Sequence, residues 1–333
     1  MRAWDRIRGL TVIAVLTLVI TGCPKQDNQA GGGGDSGGGG TSKKLRIAVI
    51  PKGTTHSFWQ TVKAGADAAG AAENVEIIWQ GPDKETAFTE QINLVQNQVS
   101  GGVDGIVLAA TDSQALVKPV KDAMEKGVPV VTIDSGLKDN PSLCYIATDN
   151  VEGGRRAADS LAKLIGEKGK VGLMPFLKGA GSSDEREKGF LEGIKKYPNI
   201  TVAITLYNDS DVNKAVEQTL NMLTAHSDLV GMFAANEPGG VGAANALKQK
   251  KLEGKVKLVA YDTSPDELKA FDQGIIQALI VQNPYQMGFQ GVKTVLKAIR
   301  KQPVNEKFID SGVTVVTKEN FNSPEVQKLI KPG

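Results

Sequence analysis

The sequence predicts an α/β protein of two doubly wound domains, each built on a parallel sheet, and three observations carry that expectation. Short runs rich in β-branched residues alternate with segments of helical period along most of the chain. The 333-residue chain is too long for one small core and suits two domains. The alternation also restarts midway, after "TDNVEGG" (Thr148–Gly154), as a second half in the style of the first.

In the first half the strand runs are "LRIAVI" (Leu45–Ile50), "VEIIWQ" (Val75–Gln80), "GIVLAA" (Gly105–Ala110) and "VPVVTID" (Val128–Asp134). Near-continuous apolar runs of this kind belong in a parallel sheet covered on both faces. Between them Phe88, Ile92, Val95 and Val99, and then Leu116, Val120 and Met124, recur at helical spacing. In the second half the expected strands lie near Val171–Met174, Val202–Leu206, Leu229–Ala234, Val256–Tyr261 and Ala278–Val281. Such alternation predicts doubly wound layers. An internal echo agrees: Asp104–Ser135 and Asp228–Thr263 both read acid, apolar strand, Ala-Ala with a polar pair, helix, lysine-glycine turn, strand and a terminal Asp.

Ahead of these domains lies an export signal. Arg2, Arg6 and Arg8 precede the uncharged run Leu10–Ile20, which has the length of a signal core and is short for a membrane span. It ends at "ITGC", which resembles the lipobox of bacterial lipoproteins. The resemblance implies cleavage after residue 22, lipidation of Cys23 and a membrane anchor at that residue. Residues 23–42 then form a glycine-rich tether, "PKQDNQAGGGGDSGGGGTS" after the cysteine. Its composition cannot bury a core, and a coil of this length holds the folded part roughly 25 Å from the anchor. A phosphate-cradling loop would need a strand before it and a helix after it.

Composition narrows the function classes. A formal net charge of +2 with interspersed acids and bases leaves no basic stripe for nucleic acid. Cys144 is the only cysteine after Cys23, so the mature chain has no internal disulfide, and the apolar setting "LCYIA" makes Cys144 a buried, inert thiol. "DSDVN" (Asp209–Asn213) starts like a calcium loop, but Lys214 stands where glycine is needed. "GGVGAANALK" (Gly239–Lys248) lacks dinucleotide-loop spacing and reads as a well-packed helix start. No metal and no cofactor is expected. His226 reads as a helix-end residue.

In open parallel sheets, ligands bind beyond the carboxyl ends of the strands. There the sequence places Lys52 and His56 after the first strand, and Asp134 and Ser135 after the fourth. The second half adds Arg186 in "GSSDEREKGF", Asn236, Asp262 and Gln282. Phe58 and Trp59 begin the first helix on the same side. Carboxylates, amides and a guanidinium suit a polyhydroxylated guest, whose hydroxyls both donate and accept. An aromatic ring suits the apolar face of a sugar. The alternative for either aromatic is packing under the loop as core.

The series "VIPKGTTHSFWQTVKAGA", "PVVTIDS", "IATDNVEGG", "EREKGF", "FAANE", "VAYDTSPDE" and "IVQNPYQMGFQGV" resembles bacterial periplasmic sugar-binding proteins of the ribose-binding type, from Lys44 to about Val316. The resemblance implies two lobes joined by three crossings, near Ala147–Asn150, Gln282–Pro284 and Asp310–Val313. The first lobe would take residues 43–147 and 283–309, the second 148–282 and 310–333. It also implies that Phe58 and Trp59 sandwich the sugar while Asp134, Arg186, Asn236, Asp262 and Gln282 bind hydroxyls. This chain departs from the ribose pattern at His56 (an amide expected), Lys52 (a small hydroxyl residue), Ser135 (an arginine) and Ser210 (an aromatic on the opposite wall). A pentose, hexose or related polyol is the class these residues support.

The expected mechanism is hinge closure around the sugar, followed by delivery to the permease of an ABC importer. The chain is expected to act as a monomer, exported and lipid-anchored in the cell envelope, in the periplasm or on the outer face of the cytoplasmic membrane. Two other readings compete. A sugar-processing enzyme would need an acid pair near Arg186, and with His56 and His226 the only histidines no nucleophilic triad or zinc motif stands out. A receptor for chemotaxis or quorum signalling would carry the same cleft.

Overall fold

Strands β1 (Arg46–Ile50), β2 (Glu76–Trp79), β3 (Gly105–Leu108) and β4 (Val130–Ile133) occupy the first four apolar runs. Between them come helices α1 (Ser57–Glu73), α2 (Phe88–Ser100) and α3 (Val117–Glu125). The computed structural model describes residues 43–331, so the signal segment, Cys23 and the tether lie outside the described residues. A short β5 (Tyr145–Ala147) is followed by α4 (Asn150–Leu164), β6 (Gly169–Met174), α5 (Gly181–Ile194), β7 (Ile200–Thr205) and α6 (Val212–Ala225). Next come β8 (Leu229–Ala234), α7 (Glu237–Gln249), β9 (Lys257–Tyr261), α8 (Pro265–Asp272), β10 (Ala278–Val281) and α9 (Pro284–Ile299). The chain closes with β11 (Phe308–Asp310), β12 (Thr314–Val316) and α10 (Pro324–Ile330).

Two six-stranded sheets result, in the orders β11-β5-β4-β3-β1-β2 and β12-β10-β9-β8-β6-β7. All pairings are parallel except β10 with β12. The two orders correspond strand for strand, and each reverses direction at one place, between β1 and β3 and between β6 and β8. Such a switch point opens a crevice at the strand ends. This is the type I periplasmic binding protein fold.

Each sheet is covered on both faces. Alternate residues of β1 separate accordingly: Ile47 and Val49 join one apolar cluster, Ala48 and Ile50 the other, as the two-residue period of a strand requires. The second sheet divides in the same way, with Leu258 and Ala260 on one side and Val259 and Tyr261 on the other.

The chain passes between the sheets three times. After β5 it enters α4, which packs on α5 and lies over the second sheet. After β10 it enters α9, which packs on α1 and returns to the first sheet, and β11 in the first sheet is followed by β12 in the second. Both helix pairs meet backbone to backbone. A Cβ on Gly65 of α1 would lie 2.0 Å from Tyr285 O of α9, and one on Gly288 of α9 would lie 2.0 Å from Val62 O of α1. In the other pair, a Cβ on Gly189 of α5 would lie 2.0 Å from Val151 O of α4. Only glycine permits approaches this close.

Some local expectations shift. Phe88, expected on the buried stripe of its helix, is 46% exposed at the first position of α2. Leu116 is buried but precedes α3 as its N-cap. The strands β5, β11 and β12 have three residues each, too few to leave a period in the sequence. Gly239, Gly240 and Gly242 do serve a packed helix start: a Cβ on Gly242 would lie 2.4 Å from Ala215 Cβ. His226 is the C-cap of α6. Cys144 is a buried free thiol whose pKa burial pushes up. Among the described residues no helix is long and apolar enough to cross a membrane.

Candidate ligand-binding cleft

The carboxyl ends of both sheets face one cleft, with about 280 Å³ of free space between its walls. Corresponding strands β4 and β9 each end in an aspartate with left-handed backbone, Asp134 at φ 56° and Asp262 at φ 83°. Aspartate tolerates that region better than most residues because its short side chain bonds locally. The turn lifts each carboxylate out of the strand's alternation and into the cleft.

On the second lobe, Arg186 is 2% exposed. Its Nε donates to Asn150 Oδ1 and its Nη1 to Ala235 O, both at 2.8 Å, and its guanidinium lies 3.7 Å from the centre of the Tyr261 ring. Of five N–H groups, these two are spent on orientation. Burial alone would lower its pKa, but Tyr261, Asp262 and Asp134 raise it.

Asp262 Oδ1 accepts from Gln282 Nε2 at 2.7 Å and Oδ2 from the Glu237 N–H at 3.2 Å. Burial, with Glu237 and Asp134 nearby, pushes its pKa up to about 6 against the opposing pull of Arg186 and Gln282. Asn236 caps α7 through Gly239 N and also accepts from Asn208 Nδ2. Its Nδ2 donates to Ser210 Oγ at 3.0 Å, which leaves one N–H.

On the first lobe, Lys52 Nζ lies 2.9 Å from Asp134 Oδ2 and 3.9 Å from Glu85 Oε2. It sits over the rings of Phe176 at 4.8 Å and Trp59 at 5.6 Å. Glu85 is a hub. Trp59 Nε1 donates to it at 2.9 Å, His56 Nδ1 stands 3.7 Å away, and Ser210 of the other lobe donates to it at 2.7 Å. Burial would raise the Glu85 pKa, yet Lys52, His56 and Ser210 together hold it at about 2. For His56, burial lowers the pKa, but the Glu85 carboxylate and then Glu237 outweigh it and the net shift is upward.

The expected site residues Lys52, His56, Phe58, Trp59, Asp134, Arg186, Asn236, Asp262 and Gln282 all line this cleft. Ser135 and Ser210 do not line it; both bridge the lobes, Ser135 Oγ by accepting from Ser182 N at 3.2 Å. The two first-lobe aromatics meet edge to face, with centroids 4.9 Å apart and planes at 89°. A flat guest can therefore lie parallel to one of them but not both. Trp59 is 1% exposed and belongs to the first-lobe core.

Sequence reasoning missed Glu85, Glu237 and Phe176, which also line the cleft. Each follows a strand end (β2, β8 and β6), so the rule that found Asp134 and Asp262 would have reached them.

The lobes also meet directly. Glu237, first residue of α7, accepts from Ser57 N at 3.1 Å and Phe58 N at 2.9 Å. These are free N–H groups of α1, whose own N-cap, His56, makes no side-chain cap. A carboxylate there meets the positive end of the helix. Lys52 Nζ donates to Ser182 Oγ at 3.1 Å, and Ser113 N to Gly179 O at 2.8 Å.

Among the described residues four buried side-chain atoms have no hydrogen-bond partner: Asp134 Oδ2, Gln282 Oε1, Tyr261 Oη and Glu267 Oε1. Asp134 Oδ2 has the Lys52 charge beside it, out of hydrogen-bond alignment. The first two belong to cleft residues, and both are acceptors. A buried acceptor without a donor is costly, and a hydrogen-bond donor entering the cleft would relieve that cost.

Residues 47–303 match the family model of the periplasmic binding protein domain. The ribose import binding protein of Escherichia coli (strain K12) is 31% identical over 267 residues, covering 80% of this chain and 88% of that protein. A carbohydrate transporter solute-binding protein from Agrobacterium radiobacter, solved with D-arabinose, has a TM-score of 0.84 and 35% identity, covering 87% of this chain and 100% of the other. An ABC transporter solute-binding protein from Agrobacterium vitis with bound D-fucose has a TM-score of 0.83 and 40% identity, covering 86% and 100%. With its paired sheets, its strand-end cleft and these relatives, the chain belongs to the periplasmic binding protein domain family and within it is similar to the sugar-binding proteins of the ribose-binding kind.

Proposed function

We propose that this chain captures one neutral monosaccharide, a pentose, hexose or related polyol, by closure of its two lobes and delivers it to the permease of an ABC importer. The observation that carries this reading is the pair of buried acceptors that make no hydrogen bond, Asp134 Oδ2 (with the Lys52 ammonium 2.9 Å away) and Gln282 Oε1, on residues that line the cleft together with Arg186. A hydroxyl group can both give to the acceptors and take from the guanidinium. The similar proteins solved with D-arabinose and D-fucose support a guest of this size.

Four carboxylates (Glu85, Asp134, Glu237 and Asp262) face Lys52, Arg186 and His56. This balance disfavours uronates and sugar phosphates. His56, Phe58, Trp59, Lys52 and Asn236 complete the wall around the guest. The lobes divide at 147–150, 282–284 and 310–313, so that Asp134 and Arg186 approach one guest from opposite sides and reward closure. Lipidation at Cys23 and the tether 23–42 would hold the receptor beside its importer after removal of residues 1–22.

Titration calorimetry of the whole chain against D-arabinose, D-fucose, D-ribose, D-glucuronate and D-ribose 5-phosphate tests the reading. Saturable binding of at least one neutral sugar, recovered unchanged, with no heat from the two anions, is the expected result. Preferred binding of an anion, or chemical conversion of the sugar, would overturn it.

A further inference from the structure

The loops after β2 and β7 occupy corresponding places in the two sheets, at the edge opposite the strands where the chain crosses between lobes. On that edge the Ser210 hydroxyl gives its proton to Glu85 Oε2 at 2.7 Å and accepts from Asn236 Nδ2 at 3.0 Å. Its hydrogen-bonding capacity goes to the two lobes, and it does not line the cleft. The backbone is bent to present it: Asp209 and Ser210 are both left-handed, at φ 53° and 55°, and Ser210 N is tied to Asn208 Oδ1 at 2.8 Å.

Glu85 is equally committed. It is 6% exposed, holds Trp59 Nε1 on its other oxygen and has Lys52 and His56 beside it. Position gives this contact leverage. Adjacent strands lie about 4.8 Å apart, and four such spacings separate β5 from β2. The contact therefore sits about 20 Å from the crossing edge, where rotation of one lobe against the other moves atoms most.

We propose that Ser210 and Glu85 form a latch at the cleft mouth, a positioning pair that holds the lobes together by a bond between them. Such a latch strengthens the capture of every guest by the same factor and selects among none. The inference rests on the sugar-binding reading for its affinity readout alone.

Ser210→Ala in the whole chain is the test, with D-arabinose, D-fucose and D-ribose as probes. A hydrogen bond to a charged group is worth roughly tenfold to a hundredfold in an equilibrium constant. The variant is expected to lose affinity within that range, by one common factor for all probes that bind, through faster dissociation. Hydrogen exchange without sugar supplies a second readout. The amides of Ser57, Phe58 and Ser113, which donate across the lobes, should exchange faster in the variant while those of β3 and β8 stay protected. Repeating the substitution in a Glu85→Gln background should add little.

A loss confined to one sugar would make Ser210 a guest contact and overturn the latch, as would unchanged exchange of the three amides. If no probe binds the unaltered chain, the sugar reading fails, while the exchange comparison still decides the latch. General loss of protection in Ser210→Ala would make the residue structural and would also overturn it.

Discussion

Asp262 is a point where the proposed sugar binding and stability oppose each other, and Asp262→Asn separates them. The folded chain holds this carboxyl at about pKa 6 because it is buried beside Glu237 and Asp134, against about 3.9 for an unperturbed aspartate. The folded state therefore binds the proton more tightly than the unfolded state. Between about pH 4 and 6 stability falls as pH rises, and above pH 6 the loss is complete. Two pH units amount to about 3 kcal/mol.

Asparagine cannot ionise and tolerates the left-handed backbone as well as aspartate does. It brings a cost of its own. Gln282 Nε2 and the Glu237 N–H both donate to this side chain, and an amide can accept on its oxygen alone, leaving one donor unanswered at about 1–2 kcal/mol. The net expectation at pH 7 is a gain of about 1–2 kcal/mol in stability, vanishing or reversing near pH 4, together with a large loss of sugar affinity. Denaturant titrations of both chains at pH 4, 5, 6, 7 and 8 measure it. A difference between variant and parent that does not change with pH would refute the electrostatic account, as would a variant less stable at pH 7.

Three further outcomes follow from the same contacts. Glu237→Ala removes the carboxylate that caps α1 from the other lobe, so calorimetry should show affinity falling about five- to tenfold for a cap of about 1 kcal/mol; the Asp262 titration should also move toward lower pH. Trp59→Phe keeps the ring in the core but strips Glu85 of a donor, and the denaturation midpoint should report about 1–3 kcal/mol of lost stability; an unchanged midpoint would deny Glu85 its hub role. His56 has a raised pKa, so its stabilising contribution is complete below about pH 6.5 and is lost as pH rises through the folded value. His56→Gln should flatten the stability curve above pH 6.5, and an identical slope in the variant would show that His56 is not the titrating group.

The sheets were legible because parallel, doubly covered strands concentrate apolar residues locally. The strand ends were legible for the same reason: once a run such as "VPVVTID" is located, Asp134 has a place without reference to anything distant. What escaped notice depends on distance. Glu85 matters through a serine 125 residues away, and Glu237 through N–H groups of a helix 180 positions earlier. Ser210 was expected on the wall because the position resembled one that holds an aromatic; only the three-dimensional arrangement spends its hydroxyl on the opposite lobe. Trp59 was expected to face a guest flat on, but a ring perpendicular to Phe58 with its nitrogen bound inward serves the core as much as the cleft. β5, β11 and β12 fell below the length at which alternation can be read.

The glycine contact between α1 and α9 bears on how affinity can drift without any change in the pocket. α9 begins immediately after the second crossing, and its backbone rests on that of the helix whose first turn carries Phe58 and Trp59. Phe58, Trp59 and the second crossing are thus joined through one packed helix pair, in effect a single plate. A single methyl group at Gly65 or Gly288 would wedge that plate apart and, on the proposed function, weaken capture without altering any residue that lines the cleft.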